Sequence, residues 1–285
     1  MPLPRSARSS LTSLRRGVLA LFVGGCCQAE ENWPLVVPAD RAAECAGALS
    51  RGRERSGGAA LASPFTVFNW NVQKAGHTDL VREFAAFANK ADLIFLQEAV
   101  PLRKAQVAIE QSFADAFVRG YVQNEIETGV LTLARVPHTV HCHLTALEPW
   151  LRTPKATSIT LYPLEDTGET LLTVNLHAIN FSLGVEAYRA QLTQAGDLIA
   201  AHPGPVIFAG DLNSWSGARQ EILDLMTSQL QLKAIPFAPD HRTTSFGRPL
   251  DHIYVRGLAW QFTQSIPVTT SDHNPLFATL RRSIR

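Results

Sequence analysis

From Phe65 onwards the chain alternates between two spacings of apolar residues. Phe65-Thr-Val-Phe-Asn-Trp-Asn71 is rich in β-branched and aromatic residues and predicts a strand. Similar short runs predict strands at 92–96, 130–134, 139–145, 156–162, 171–176, 206–208, 250–255, 260–265 and 276–280. Asp79 to Asn89 instead places Leu80, Phe84 and Phe87 at helical spacing. Further helices are expected over 102–117, 185–201 and 218–228. Strand–helix–strand units thus alternate with runs of consecutive strands, which a purely parallel fold lacks. Two mixed β-sheets packed face to face, with helices outside, account for both parts and place the chain in the α/β (α+β) class. No internal repeat or low-complexity segment interrupts the pattern.

The pattern changes before Phe65. Residues 30–63 contain Pro34, Pro38, Arg51, Arg53, Arg55 and the Gly57-Gly58 pair, and read as a linker that buries little surface. Residues 1–29 hold four arginines and no acid, followed by the apolar run 17–23 and small residues. That order reads as an export signal. The apolar run is much shorter than the roughly 20 residues of a membrane span. Two processing points compete. Val23-Gly24-Gly25-Cys26 resembles a lipoprotein box, which would put a lipid anchor on Cys26, whereas Cys27-Gln28-Ala29 suits cleavage to a soluble form. The expectation is an exported protein, periplasmic, tethered as a lipoprotein or secreted. Its domain spans 64–285.

Composition adds limits. Hydrophobic residues make up 46% and charged residues 18%, enough apolar surface for a core. The formal charge of +1 argues against a strongly basic nucleic-acid binder. Without residues 1–29 the balance is 22 basic against 25 acidic residues. Four cysteines are too few for a disulfide scaffold. Among them Cys45 and Cys142 form a candidate pair in an oxidising compartment. No Gly-x-Ser-x-Gly elbow, Walker loop or Gly-rich dinucleotide loop occurs in the sequence.

The chemistry lies at the strand ends. Asn71, Glu98, His177 and the pair Asp211 and Asn213 each follow an apolar run. Asp251 opens the strand Leu-Asp-His-Ile-Tyr, and Asp272-His273 precedes the last strand. Carboxylates and amides beside buried strands are unfavourable unless they serve a cation or each other. Asn71, Glu98, Asp211 and Asp272 supply the oxygen ligands of a hard divalent cation. A histidine beside an aspartate makes a tuned acid–base pair. The set suits metal-assisted attack of water on a phosphate ester.

Seven pieces in order resemble the endonuclease/exonuclease/phosphatase superfamily, the deoxyribonuclease I-like fold. They are Asn69-Trp-Asn71-Val-Gln73, Leu96-Gln97-Glu98, Gly129 to Leu133, Asn175-Leu-His177, Gly210-Asp-Leu-Asn213, Leu250 to Tyr254 and Ser271 to Asn274. Leu151-Arg-Thr-Pro-Lys155-Ala and His177-Ala-Ile-Asn180-Phe look more like an exported bacterial branch than like a known nuclease. The resemblance implies a four-layered α/β sandwich with the site at one end of both sheets. It implies a metal site at Asn71, Glu98 and Asp272, holding Mg2+, Mn2+ or Ca2+, with Glu98 the direct ligand. Asp211 would position or deprotonate water, Asn213 would hold the phosphate, and His177 would contact the phosphate or assist the leaving group. Asp251 and His273 would form a hydrogen-bonded pair. Every position holds a competent residue, so an active enzyme is expected.

The expected function is an exported, metal-dependent phosphoesterase of endonuclease type acting on phosphodiesters. A phosphomonoesterase or sphingomyelinase-like hydrolase is the runner-up, and a non-catalytic binding protein on the same fold is the alternative of another class. The partner is a phosphoester substrate (nucleic acid, phospholipid or small phosphoester), and the chain is expected to be a monomer. Lys155 and Asn180 are candidate substrate-binding residues, with Arg152, Lys74 and His77 as weaker ones. Trp70, Trp150, Phe181 and Trp215 are candidates to ring the opening. His141 and His143 share one face of a strand and His138 does not, with Cys142 pointing the other way, which argues against a local zinc site.

Overall fold

The computed structural model describes residues 39–53, 59–101, 113–123, 125–165 and 167–283. The expected export signal lies outside the described residues.

In chain order the elements are α1 (Ala39–Arg53), β1 (Phe65–Asn71), α2 (Leu80–Ala88), β2 (Leu93–Ala99), β3 (Ala114–Gln123), β4 (Ile126–Ala134), β5 (Val140–Leu147), β6 (Pro154–Pro163), β7 (Thr170–His177), α3 (Glu186–Ala200), β8 (Val206–Asp211), α4 (Gly217–Gln229), β9 (Lys233–Ala234), β10 (Thr244–Ser245), β11 (Arg248–Pro249), β12 (Asp251–Arg256), β13 (Leu258–Ser265) and β14 (Leu276–Arg282). One six-stranded sheet runs β13-β14-β1-β2-β4-β3 and the other β5-β6-β7-β8-β12-β9, with β10 and β11 as a small separate pair. Both large sheets are mixed: β1 is parallel to β2 and β7 parallel to β8, while the other ladders are antiparallel.

Period two explains the layers. In β1, Phe65 and Val67 pack into the core between the sheets, and Phe68 and Trp70 into the core beneath α2. β2 divides likewise, with Leu93 and Phe95 between the sheets and Ile94 and Leu96 under α2. On the second sheet, Leu171, Ile207, Ala209, Ile253 and Val255 face the first sheet. Leu172, Val174, Phe208 and Tyr254 face outward, where α1 and α3 pack. The result is helix, sheet, sheet, helix.

Two expectations change. The helix expected over 102–117 lies outside the described residues up to 112, and Ala114 to Phe117 belong to strand β3, paired along β4. The stretch expected to be a linker contains α1, which buries Cys45 and Leu49 against the second sheet. Gly52 lets it approach closely, since a Cβ there would stand 2.2 Å from Val140 Cγ2. A Cys45–Cys142 disulfide ties α1 to β5 across 97 residues of sequence. Leu61 is also buried, bridging to Leu164.

Two buried histidines stay neutral. His202 donates from Nε2 to the Thr170 carbonyl at 3.0 Å, while its buried Nδ1 has no partner. Burial, with Arg53 and Arg256 nearby, pushes its pKa down to about 4. His252 contacts Ser214 Oγ at 2.8 Å and the Pro249 carbonyl at 3.1 Å, and burial together with Arg242 also brings it to about 4. In the unfolded chain both titrate near 6.5 (roughly). Their stabilising effect is therefore full above pH ~6.5 and is lost as pH falls towards ~4, where the unfolded state binds more protons. Urea unfolding at pH values between these limits should show stability falling by up to about 3 kcal/mol per pH unit from the pair. His202→Gln should flatten that slope; an unchanged slope in this variant would refute the assignment.

Candidate active site

The inner face of each central strand changes from apolar to polar at one end. In β1 the sequence is Phe65, Val67, Asn69, Asn71; in β7 it is Leu171, Thr173, Asn175, His177; in β8 it is Ile207, Ala209, Asp211. β1 runs parallel to β2 and β7 to β8, so the polar ends share one edge within each sheet, and a 3.0 Å bond from Asn71 to Asp211 joins the two edges. His177 lies directly beside Asp211 in the ladder, and Asp211 beside Asp251 of the antiparallel β12. Gly210 permits this pairing: its φ is +145°, and a Cβ would meet the Leu176 carbonyl oxygen at 1.9 Å.

A cleft of about 620 Å³ opens over these ends. Nine of the expected residues line it: Asn71, Glu98, Lys155, His177, Asn180, Asp211, Asn213, Asp272 and His273. Asp251 lies beneath, its Oδ2 2.6 Å from His273 Nδ1, while its buried Oδ1 has no partner. Lys74 also lines the cleft. His77 is exposed, and its Nδ1 accepts from the Asp79 amide.

Local structure sets each side chain. Asn71 Nδ2 donates to Asp211 Oδ2 at 3.0 Å, and its Oδ1 accepts from the Gln73 amide at 3.1 Å. Asp211 Oδ1 accepts from the Asn213 amide at 3.2 Å. Glu98 sits where the β2–β4 register shifts and has a φ of +49°, breaking the strand's alternation. The 270–274 loop is bound to β1: Ser271 Oγ donates to the Asn71 carbonyl at 2.7 Å and Trp70 Nε1 to the His273 carbonyl at 2.7 Å. Trp70 is fully buried, so it does not ring the opening.

The charges are strongly coupled. Burial would lower the His273 pKa, but the Asp251 and Asp211 carboxylates outweigh it and push it up to about 10. Burial raises Asp211 to about 6 against the opposing pull of His273. His177 moves well below its ordinary value through burial and the nearby Lys155. Lys155 Nζ stands 2.9 Å from His177 Nε2, and an ammonium only donates, so this nitrogen of neutral His177 accepts. His177 Nε2 is also 3.6 Å from Asp211 and 4.0 Å from Glu98.

This donor set fits a divalent cation. Asn71, Glu98, Asp211 and Asp272 offer oxygen atoms. Burial raises the Glu98 pKa, with Asp211 and Asp272 pushing the same way against Lys155 and Lys74. The ligand atoms of Asp211, Asp251 and His273 also lie within 4.8 Å of one another.

The model of the Endonuclease/Exonuclease/phosphatase family matches residues 68–273, from β1 to the loop carrying His273. The chain belongs to this family. A "UPF0294 protein" of Klebsiella pneumoniae (strain 342) is 39% identical over 211 residues, covering 74% of this chain and 79% of that protein. Among solved structures, the human Nocturnin catalytic domain with bound sulfate anion aligns with a TM-score of 0.59 at 14% identity, over 81% of this chain and 99% of that one. D. rerio TDP2 complexed with single strand DNA product aligns with a TM-score of 0.54 at 17% identity, over 77% and 99%. At such identities these structures share the fold.

Two buried charges support the cleft of this family member, and neither stands out in the sequence. Glu148 Oε1 accepts from the Asn180 and Phe181 amides, both at 2.8 Å, and Oε2 accepts from Thr153 Oγ1 at 2.6 Å. Arg219 on α4 is stacked between Tyr188 and Trp215, 4.6 Å from each ring. It donates to the carbonyls of Ile179, Asn180 and Asn213 and to Ser182 Oγ. Trp215 is half-buried in this stack, and its Nε1 donates to Asn180 Oδ1 at 2.9 Å. The Asn180 side chain is thereby fixed at the cleft wall.

The histidine run does not gather on one metal: Cys142 is bonded to Cys45 of α1, His143 Nε2 meets Arg41 of the same helix, His141 Nε2 lies 3.4 Å from Ser158 Oγ, and the His138 ring packs edge-on against His141 at 5.5 Å, sharing its neighbourhood against expectation.

Arg219→Met should reduce the unfolding free energy by about 3 kcal/mol, because it leaves buried carbonyls without their donor. Denaturant titration measures this. A loss below about 1 kcal/mol would show that the loop does not depend on Arg219.

Proposed function

We propose that this chain is a divalent-metal-dependent phosphodiesterase. The observation that carries the reading is the convergence of Glu98, Lys155, His177, Asp211 and His273 on one cleft, backed by the buried Asp251. The sulfate in the Nocturnin structure and the single strand DNA product in the TDP2 structure show what those neighbours bind, and a phosphate ester suits this cleft as well.

Asn71, Glu98 and Asp272 would hold the cation, which when bound offsets charge developing on the phosphate. Asp211 takes the proton from the attacking water as the new O–P bond forms. His273, held as a cation by Asp251, donates a hydrogen bond to a non-bridging phosphate oxygen. An Asn213 amide hydrogen binds a second one; its Nδ2 already donates to the Ala178 carbonyl at 3.0 Å, which orients the group. As the bond from phosphorus to the leaving oxygen breaks, Lys155, steadied by His177, supplies that oxygen with a proton.

Asp211→Ala and His273→Ala should each reduce hydrolysis of bis(4-nitrophenyl) phosphate with Mg2+ by roughly 100-fold or more. Circular dichroism should remain that of the parent, and EDTA should stop the reaction. Near-normal turnover in either purified variant would overturn the reading.

Export belongs to the same proposal. The ordered arginine, apolar and small-residue segment supports it, and the Cys45–Cys142 bond suits an oxidising compartment. Cell fractionation should recover the protein outside the cytoplasm, with Cys45 and Cys142 unreactive to alkylation until reduced. Recovery in the cytoplasm with both thiols reactive would refute it.

A further inference from the structure

The cleft has a polar floor and an apolar rim. Ten large hydrophobic residues are exposed among the described residues, and six of them lie on three segments that each contribute one residue to the cleft lining. Val122 and Ile126 come from β3 and β4, Trp150 and Leu151 from the turn before β6, and Phe181 and Leu183 from the loop after β7. Val122, Leu151 and Phe181 line the cleft itself. Leu151 is 58% exposed and Leu183 79%, so core packing does not explain them.

Charge narrows the range of molecules such a rim can face. The cleft lining has two lysines, Lys74 and Lys155, against Glu98, Glu148, Asp211 and Asp272. That supply of cations, with the two histidines and a metal, matches one phosphate. A nucleic-acid strand carries a phosphate on every nucleotide and is held along a basic groove with aromatic planes for its bases. Here four of the six rim residues are aliphatic and offer no stacking plane. Aliphatic side chains around a site for a single phosphate match a molecule with a phosphodiester head and hydrocarbon beside it.

We infer that the substrate is an amphiphile with one phosphodiester, taken from a lipid surface against which the rim of Val122, Leu151, Phe181 and Leu183 seats. This rests on the phosphodiesterase reading and specifies its substrate class. Hydrocarbon contact stabilises the docked state, and the ester then reaches Lys155 and His273 on the floor without leaving its lipid phase.

Trp150, beside Leu151 and 58% exposed, reports on the rim from within. The full chain in EDTA is mixed with vesicles of phosphatidylcholine and phosphatidylglycerol whose acyl chains are brominated. Part of the tryptophan emission should be quenched, and that part should be missing in Trp150→Phe, which separates rim contact from any contact of the N-terminal segment. Ile126→Asp with Leu183→Asp, both outside the cleft lining, should weaken the Trp150 quenching roughly tenfold or more, while bis(4-nitrophenyl) phosphate turnover with Mg2+ stays within about twofold of the parent. Quenching that Trp150→Phe or the aspartate pair leaves unchanged would overturn the inference. So would a single-stranded DNA oligonucleotide that perturbs Trp150 where the vesicles do not. If the vesicles quench Trp150 but the soluble diester is not cleaved, the lipid surface stands and the catalytic reading falls. If the diester is cleaved without quenching, the lipid surface falls and the catalytic reading stands.

Discussion

A layer of buried amides joins the two sheets, and the site depends on it. Gln97 Nε2 donates to Asn69 Oδ1 at 3.0 Å within the first sheet and to Asn175 Oδ1 at 2.7 Å in the second. Asn175 Nδ2 in turn reaches the carbonyls of Leu96 and Leu131. A hydrocarbon interface tolerates sliding, because it is not directional. Directional bonds between buried amides do not, since each lost partner leaves a polar group away from water. The layer therefore sets the register of one sheet on the other. One step further along the strands stand Asn71, His177 and Asp211, brought together because the amides behind them are in register.

That register concentrates opposing charges in a small volume. Asp211 faces Asn71 and His177, while His273 faces Asp251. Buried groups titrate according to their neighbours, and here neighbours of opposite sign separate two histidines that share the same metal-type carboxylates. His273 is held as a cation, and His177 is held neutral beside Lys155. One fold thus provides a fixed positive donor on one wall and a lysine with a neutral acceptor on the other.

Much of this is legible in the chain. The span of β1 can be read directly, since its alternation is unbroken, and the expected metal and catalytic residues, with Lys155 and Asn180, are at the cleft or directly under it, whereas the weaker candidates Arg152 and His77 are outside its lining. The family resemblance supplies roles, but the strand-end pattern already groups the residues. Features without a local signature are not legible. β3, with Asp115 and Arg119 amid small and aromatic residues, lacks clean alternation and reads as the end of a helix. α1 buries only small or single side chains at Cys45, Leu49 and Gly52, so its arginines dominate its character. Glu148, Arg219 and the Lys155–His177 contact depend on residues brought together by folding. Trp70 reads as a surface candidate because an aromatic at a strand end has the same sequence signal whichever sheet face it occupies.

Glu148 and Arg219 also explain how an apolar rim can be held out in water. Loop 178–182 has no ladder partner of its own beyond the Ala178 amide, which donates to the Asp211 carbonyl. Left to itself it would fold its Phe181 ring inward, since burial of an aromatic side chain is favourable by roughly 2 kcal/mol. The carboxylate of Glu148 takes the loop's amides from one side, and the guanidinium of Arg219 takes its carbonyls from the other. Satisfying the backbone with two buried charges fixes the loop's course independently of its side chains. Phe181 and Leu183 then remain where the backbone places them, exposed beside a cleft that holds the polar site residues. The same carboxylate bonds Thr153 at the turn that carries Leu151, so one buried acid sets the spacing of two parts of the rim and of Lys155 below them.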